Sequence, residues 1–204
     1  MNAETIAAHP ARSLATPAAE PASPALRPST DADLPAMHAI YRHHVMTGLA
    51  SFEDEPPSLE EFAQRRAAVL ALGLPWLVAT AGEGGEILGY AYLGLYRPRS
   101  AYRYTVEDSV YVAPQGVGRG VGRRLIAALV EQAAALGYRQ VLAVIGDSGN
   151  LASIRAHAAC GFREAGRLEA IGFKFGRWVD SVIMQRTLAD GAETIPSGPP
   201  AHRR

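Results

Sequence analysis

Lysine is almost missing from this chain of 204 residues: Lys174 is the only one, and arginine carries nearly all the positive charge. The scarcity reads as coding bias rather than function. Cysteine is equally rare. Cys160 stands alone, so no intrachain disulfide can form and a reducing cytoplasm is the expected compartment. It sits in the apolar stretch Ala158-Ala159-Cys160-Gly161-Phe162, where a buried thiol is expected rather than a nucleophile. Neither sign of charge is in excess, since 20 basic and 20 acidic residues leave a formal net charge of zero. With no long basic run, the footprint of a nucleic-acid binder or of a protein drawn to anionic membranes is missing. No apolar stretch approaches the length of a transmembrane helix. His43 and His44 have no partner at metal-ligand spacing and read as surface or core residues of a helix, so no metal is expected.

What is present is an ordinary globular balance, 48% apolar and 20% charged, enough for one domain with a single core. Residues 1–24 are rich in alanine and proline without a sustained apolar period, and a disordered extension is expected there. Residues 189–204, with Pro196, Pro199 and Pro200, read as a disordered tail. The folded domain should span 25–188.

Within it, strand and helix periods alternate. A short strand at 25–28 is followed by a helix capped by Thr30 or Asp31 and running to about 46. Ser58-Leu59-Glu60-Glu61 is a capping-box start for a second helix to about 72. Strands at 76–81 and 87–95 flank the turn Gly82-Glu83-Gly84-Gly85, and a third covers 105–112. Leu125, Leu129 and Ala133, four apart, mark a helix to 136. A strand at 140–145, a helix at 151–159 and strands at 164–169 and 177–187 complete the pattern. The expected class is α/β (α+β), an antiparallel meander followed by a β-α-β unit.

The most informative segment joins the 105–112 strand to the next helix. Gly116, Gly118, Gly120 and Gly122 alternate with other residues and open that helix directly. A glycine turn at a helix start leaves backbone N–H groups unpaired and convergent at the positive end of the helix dipole, a seat for a phosphate or diphosphate. A nucleoside-triphosphate loop would need a lysine after its last glycine, but Arg123-Arg124 follow Gly122. A dinucleotide loop would need Gly-x-Gly-x-x-Gly near the front of a parallel unit, and neither spacing nor position agrees. The order strand, Arg/Gln-x-x-Gly-x-Gly, helix resembles the coenzyme A diphosphate loop of the GNAT acetyltransferases. Aligned on the helix start, the family's first position falls on Val117, which has no polar side chain, with Gly120 and Gly122 as the glycines. A register two residues earlier, on Gln115, Gly118 and Gly120, also satisfies the spacing but loses the family's distance to Leu125.

Four segments extend the resemblance over nearly the whole folded part, to the branch that acetylates phosphinothricin and methionine sulfoximine. They are Ser51-Phe52-Glu53; Tyr96-Arg97-Pro98-Arg99 through Thr105-Val106-Glu107-Asp108-Ser109-Val110-Tyr111-Val112; Asn150 through His157 into Cys160-Gly161-Phe162; and Gly172 through Asp180. The resemblance implies a GNAT fold, with a central mixed, mostly antiparallel sheet flanked by about four helices, and a homodimer. It also implies acetyl-CoA as cosubstrate and a small amino acid or analogue as the acetylated amine.

Residue by residue, Glu107 falls where the branch carries its base, which the chemistry requires because a protonated α-amine cannot attack a thioester. His157, where the wider family has a tyrosine, can move a proton near neutral pH, either from the amine or to the departing thiolate. A backbone N–H within Val110, Tyr111 and Val112 is the implied oxyanion donor, and that stretch pairs with the pantetheine arm. Val117, Gly118, Arg119, Gly120, Val121 and Gly122 hold the diphosphate. Asn150 either bonds the arm or caps its helix. Arg97, Arg99, Tyr102 and Arg103 are expected to meet the substrate carboxylate or phosphinate, which a guanidinium can bind bidentately. Thr105, Val106 and Phe52 are expected to line the same pocket. Acetylation of a polyamine, an antibiotic or a protein N-terminus, and acyl-CoA binding without turnover, remain as alternatives.

Overall fold

A computed structural model of the chain describes residues 23–200. Seven strands form one sheet in the order β1-β2-β3-β4-β5-β7-β6, where β1 is Ala25–Pro28, β2 Trp76–Thr80, β3 Ile87–Leu95, β4 Thr105–Val112, β5 Gln140–Gly146, β6 Arg163–Lys174 and β7 Arg177–Thr187. The four helices are α1 (Leu34–Thr47), α2 (Leu59–Ala71), α3 (Val121–Ala135) and α4 (Leu151–Ala159). Every strand pair is antiparallel except β4–β5, the two strands that α3 connects. This is the expected mixed, mostly antiparallel sheet with four helices.

Strand alternation sorts the side chains onto two cores. One face packs Val106, Ala91, Leu93 and Val182 against Leu125, Ile126 and Leu129 of α3 and Phe162 beyond α4. The other face packs Trp76, Val78 and Tyr90 against Met37, Ile40 and Tyr41 of α1 and Phe62 of α2. Within this second core Tyr90 stacks on Tyr111 at 5.0 Å, and Tyr111 meets Tyr41 edge-on at 5.1 Å. Along β4, even-numbered residues therefore face α3 and α4, and odd-numbered residues face α1 and α2.

Most element boundaries agree with the sequence pattern, and three departures have physical causes. α1 starts at Leu34 rather than Asp31, after a single tight turn over Asp31–Asp33. Pro35 has no N–H to return to Asp31, so it belongs to the first turn of the helix. The turn is closed by Asp33, which accepts from the Thr30 N–H at 2.7 Å and from Arg27 at 2.6 Å. β6 runs on to Lys174 instead of stopping near 169, because an irregularity between Leu168 and Gly172 absorbs the break in alternation. Ala170 takes φ 50° there, and its N–H donates to Asp180 at 3.0 Å. Beyond β7 the described part of the tail stays against the domain. The Tyr104 hydroxyl donates to Gly198 O at 3.0 Å, and Pro200 is buried beside Gly137. The expected extension over 1–24 lies almost wholly outside the described residues.

The β4–β5 pairing positions the candidate site. β4 and β5 are hydrogen-bonded only from Thr105↔Gln140 to Asp108↔Ala143. β4 continues to Val112 along β3, while β5 continues to Gly146 along β7. The two strands fork beyond Asp108 and Ala143. Among the described residues, one edge of 109–112 has no strand partner.

Candidate active site

The glycine loop stands at the open end of this fork. Ala113 N–H donates to Leu88 O, and Pro114–Gly116 makes one tight turn that brings Gly116 against β3. A Cβ at Gly116 would lie 2.4 Å from Leu88 O, so only glycine fits. Gly118 and Gly120 then adopt φ of +77° and +72°, in the left-handed region. Arg119 between them donates its N–H to Gly116 O, which leaves the N–H groups of Gly118, Gly120 and the first turn of α3 for an anion. A Cβ built on either glycine would meet nothing within 4 Å, so the space before them is open. Gly120 is the N-cap of α3 and gives no side-chain bond. The first paired amide of the helix is Arg124, to Gly120 O at 3.1 Å, so the N–H groups of Val121, Gly122 and Arg123 precede that bond. Val117 is 70% exposed in extended backbone and adds no polar contact, leaving anion binding to the main chain. These residues fit a diphosphate.

At the closed end of the fork, Glu107 lies on the α1/α2 face of β4, half-buried. Burial raises its pKa most, the neighbouring Asp108 charge adds to this, and Arg97 opposes both, leaving it at about 7. A carboxylate tuned to neutrality takes a proton from an ammonium far more readily than an ordinary glutamate does. Asp108 points the other way. Its carboxylate lies 3.2 Å from His157 Nε2, and the histidine's Nδ1 donates to Ser153 O at 2.8 Å. His44 of α1 donates from Nε2 to Val112 O at 2.8 Å, tying that helix to the mouth of the loop. Burial pulls the His44 pKa down, which keeps the ring neutral and the single proton on Nε2.

The α1–α2 connection closes over the ends of β5 and β6, carrying Phe52 with it. Lys174, the only lysine, is 3% exposed and donates to Val45 O and Ser51 O, each at 2.7 Å. A Cβ at Gly146 would come 2.7 Å from Ala50 O, and one at Gly172 would come 2.6 Å from the Phe52 ring. Both glycines let the connection lie flat on the strand ends. Replacing Lys174 by Met should therefore lower the melting temperature. Each orphaned buried carbonyl costs about 1–3 kcal/mol, and each kcal/mol moves the midpoint by about 2–4 °C in a domain of this size. Thermal unfolding checks this.

A profile of the acetyltransferase (GNAT) family matches residues 37–162, from α1 through the fork and loop to α4. The chain belongs to this family. It is an acetyl-CoA-dependent N-acetyltransferase. A phosphinothricin N-acetyltransferase of Alcaligenes faecalis is 57% identical over 166 residues, covering 81% of this chain and 83% of the relative. A methionine sulfoximine/methionine sulfone acetyltransferase of Pseudomonas paraeruginosa is 43% identical over 160 residues, covering 77% and 90%. Among solved structures, a GNAT superfamily phosphinothricin acetyltransferase from Sinorhizobium meliloti in complex with acetyl-CoA superimposes with a TM-score of 0.83 at 42% identity, covering 87% of this chain and 96% of that one.

Within the family frame the site residues expected from sequence fall into groups. Glu107, Val110, Tyr111, Val112 and the loop from Val117 to Gly122 line the fork and its mouth. Asn150 caps α4, its Oδ1 accepting from the Ser153 N–H at 3.2 Å. Arg97 stands within electrostatic reach of Glu107, with its guanidinium over the Tyr96 ring at 5.1 Å. Tyr102 meets Tyr96 edge-on, and Arg99 precedes the tight turn over Ser100–Tyr102. Arg103 is folded back over Tyr104 at 5.0 Å and donates to Ser100 O. Thr105 shares the Glu107 face at the start of β4. Val106 is a correction: its side chain is fully buried under α3, because alternation places it on the face opposite Glu107, so it cannot line a pocket there.

Asp108, His44 and Lys174 were not singled out as site residues from sequence. Alternation next to Glu107 could have flagged Asp108 as facing His157's helix. Cys160 is buried with its thiol against Arg123 O, and burial pushes its pKa up, away from nucleophile chemistry. Among the described residues no His/Cys/Asp/Glu group is arranged to hold a metal, and no helix is long and apolar enough to cross a membrane.

Proposed function

We propose that the chain acetylates the α-amine of a small amino acid or analogue of the phosphinothricin, methionine sulfoximine or methionine sulfone type, by direct transfer in a ternary complex. The observation that carries this reading is Glu107, held near a pKa of 7 at the closed end of a fork whose mouth is an anion cradle. The names of the similar proteins support the substrate class.

Bound acetyl-CoA supplies an activated acyl carbon. The loop amides from Gly118 to Gly122 hold the diphosphate, and the free edge at 109–112 pairs with the extended arm, directing the thioester toward Glu107. Glu107 takes the proton that the α-ammonium must lose before nitrogen can attack. A β4 N–H within residues 110–112 stabilises the charge that develops on the acyl oxygen. Arg97 and Arg99 draw the substrate's carboxylate or oxo-acid group to the same end. Phe52, seated on Gly172, forms an apolar wall. Cys160 is sequestered, so no acyl-enzyme is needed.

The same reading takes the enzyme as cytoplasmic and homodimeric. Exposed Ile171, Phe173, Phe175 and Trp178 around the β6–β7 turn give a second copy an apolar surface. The deciding experiment incubates the protein with acetyl-CoA and a mixed amino-acid pool and identifies products by mass. N-acetylated methionine sulfoximine or phosphinothricin analogues are expected. Preference for spermidine would overturn the substrate class.

A further inference from the structure

We infer that Asp108 is a positioning residue for acyl transfer: at the closed end of the fork, its buried carboxylate holds the imidazole of His157 doubly protonated, as proton donor to the departing sulfur. This rests on the acetyl-transfer reading above and deepens it.

The hydrogen-bond partners determine the charge on the ring. Nδ1 lies 2.8 Å from Ser153 O, and a carbonyl only accepts, so Nδ1 carries a proton. Nε2 lies 3.2 Å from Asp108 Oδ2, and the bond and charge of that partner favour a proton on Nε2 as well. The ring is then a cation. Side-chain exposures of 5% for His157 and 1% for Asp108 put the pair largely out of water, the ring being the more accessible member. A buried imidazolium without a partner is strongly unfavourable, so the ring depends on Asp108 for its charge. The other groups around the pair do not replace this partner. Phe162 meets the ring edge-on at 5.1 Å, the Ser153 hydroxyl adapts to Nδ1 at 3.3 Å, and the Cys160 thiol is neutral. Arg123 and Arg186 act on Cys160. Burial pulls the His157 pKa down, but the Asp108 bond and charge outweigh it and leave it raised.

Asp108 and Ala143 are the last paired residues before the strands part. An arm entering at the loop and lying along 109–112 ends there after about 13–17 Å of strand. Glu107 and Asp108 project from opposite faces of β4, so a base and an acid flank the reacting carbon. Glu107 takes the first ammonium proton before attack and releases it to solvent, and as the C–N bond forms the second nitrogen proton passes to Glu107 in turn. As the C–S bond breaks, sulfur takes the Nε2 proton and leaves as the thiol. Imidazole regains a proton from solvent, and Glu107 loses one to it. A His157 held as a cation cannot be the base, which separates the two roles open to it from sequence.

The test follows the His157 Cε1–H resonance of the full chain by NMR against pH, with His157→Gln for assignment, and kcat and KM for wild type, Asp108→Asn and Asp108→Glu. His157 should titrate above the usual value of about 6.5 in wild type and at least about one unit lower in Asp108→Asn. The Asn variant should lose about 10–100-fold in kcat with KM for acetyl-CoA unchanged, its alkaline limb moving to lower pH, and Asp108→Glu should recover part of the loss. A wild-type His157 that is neutral at pH 7 overturns the inference even if Asp108→Asn does not fold, and so does an unchanged titration in that variant. No product from any amine overturns the functional reading itself, which the NMR titration does not depend on.

Discussion

Glu107→Gln should lower kcat by about 10²–10⁴-fold while leaving acetyl-CoA affinity near that of wild type, because the amide keeps the shape of the side chain but cannot accept the ammonium proton. In wild type, kcat/KM should fall about tenfold per pH unit below the Glu107 pKa of about 7, since only the carboxylate form acts. The Gln variant should lack this limb. The same shift has a consequence for stability. The folded-state pKa is raised from 4.5 to about 7, so the folded protein binds this proton more tightly than the unfolded chain does. Stability from the protonated group is complete below about pH 4.5 and is lost as pH rises to 7. Glu107→Gln should therefore melt higher than wild type at pH 8 and about equally at pH 4. A loss of activity together with a gain in neutral stability separates a tuned base from a residue that only supports the strand.

Gly120→Val should act on coenzyme binding instead. Gly120 sits at φ +72° with open space before it, so a valine there meets no wall but must adopt a left-handed backbone. That conformation costs an L-residue about 1–2 kcal/mol, and the new side chain projects into the cradle. KM for acetyl-CoA should rise about 10–30-fold, with kcat at saturation within about twofold of wild type. Steady-state kinetics with acetyl-CoA varied at saturating amine distinguishes this from Glu107→Gln. A fall in kcat with KM unchanged would mean that the loop serves the chemistry rather than the coenzyme.

Signals short in sequence are legible in the sequence itself. The alternating glycines from 116 to 122, the capping box at Ser58 and the four-residue spacing of Leu125, Leu129 and Ala133 each depend on neighbours within a turn or two. They locate the elements and the loop. The fork was not legible, because it depends on where β5 leaves β4 for β7, a pairing between segments about 40 residues apart. Lys174 was missed for the same reason. Its partners, Val45 and Ser51, lie 129 and 123 residues away, and a lone lysine in an arginine-rich chain resembles codon preference until its ammonium is found between two carbonyls. An arginine's wide planar fork would not fit between them as a compact ammonium does. His44 looked like one of a pair of helix histidines, yet its role comes from Val112, 68 residues on. Val106 was misplaced because a linear motif was carried over without its alternation.

Main-chain amides at the start of α3 are expected to grip the diphosphate while the β4–β5 fork receives the arm. A crystal structure of this protein with acetyl-CoA tests it most directly. Diphosphate oxygens should lie within hydrogen-bond distance of N–H groups between Gly118 and Gly122, with the arm along 109–112 and the thioester beside Glu107. Coenzyme bound elsewhere, or a fork closed by β4–β5 hydrogen bonds beyond Asp108, would contradict it.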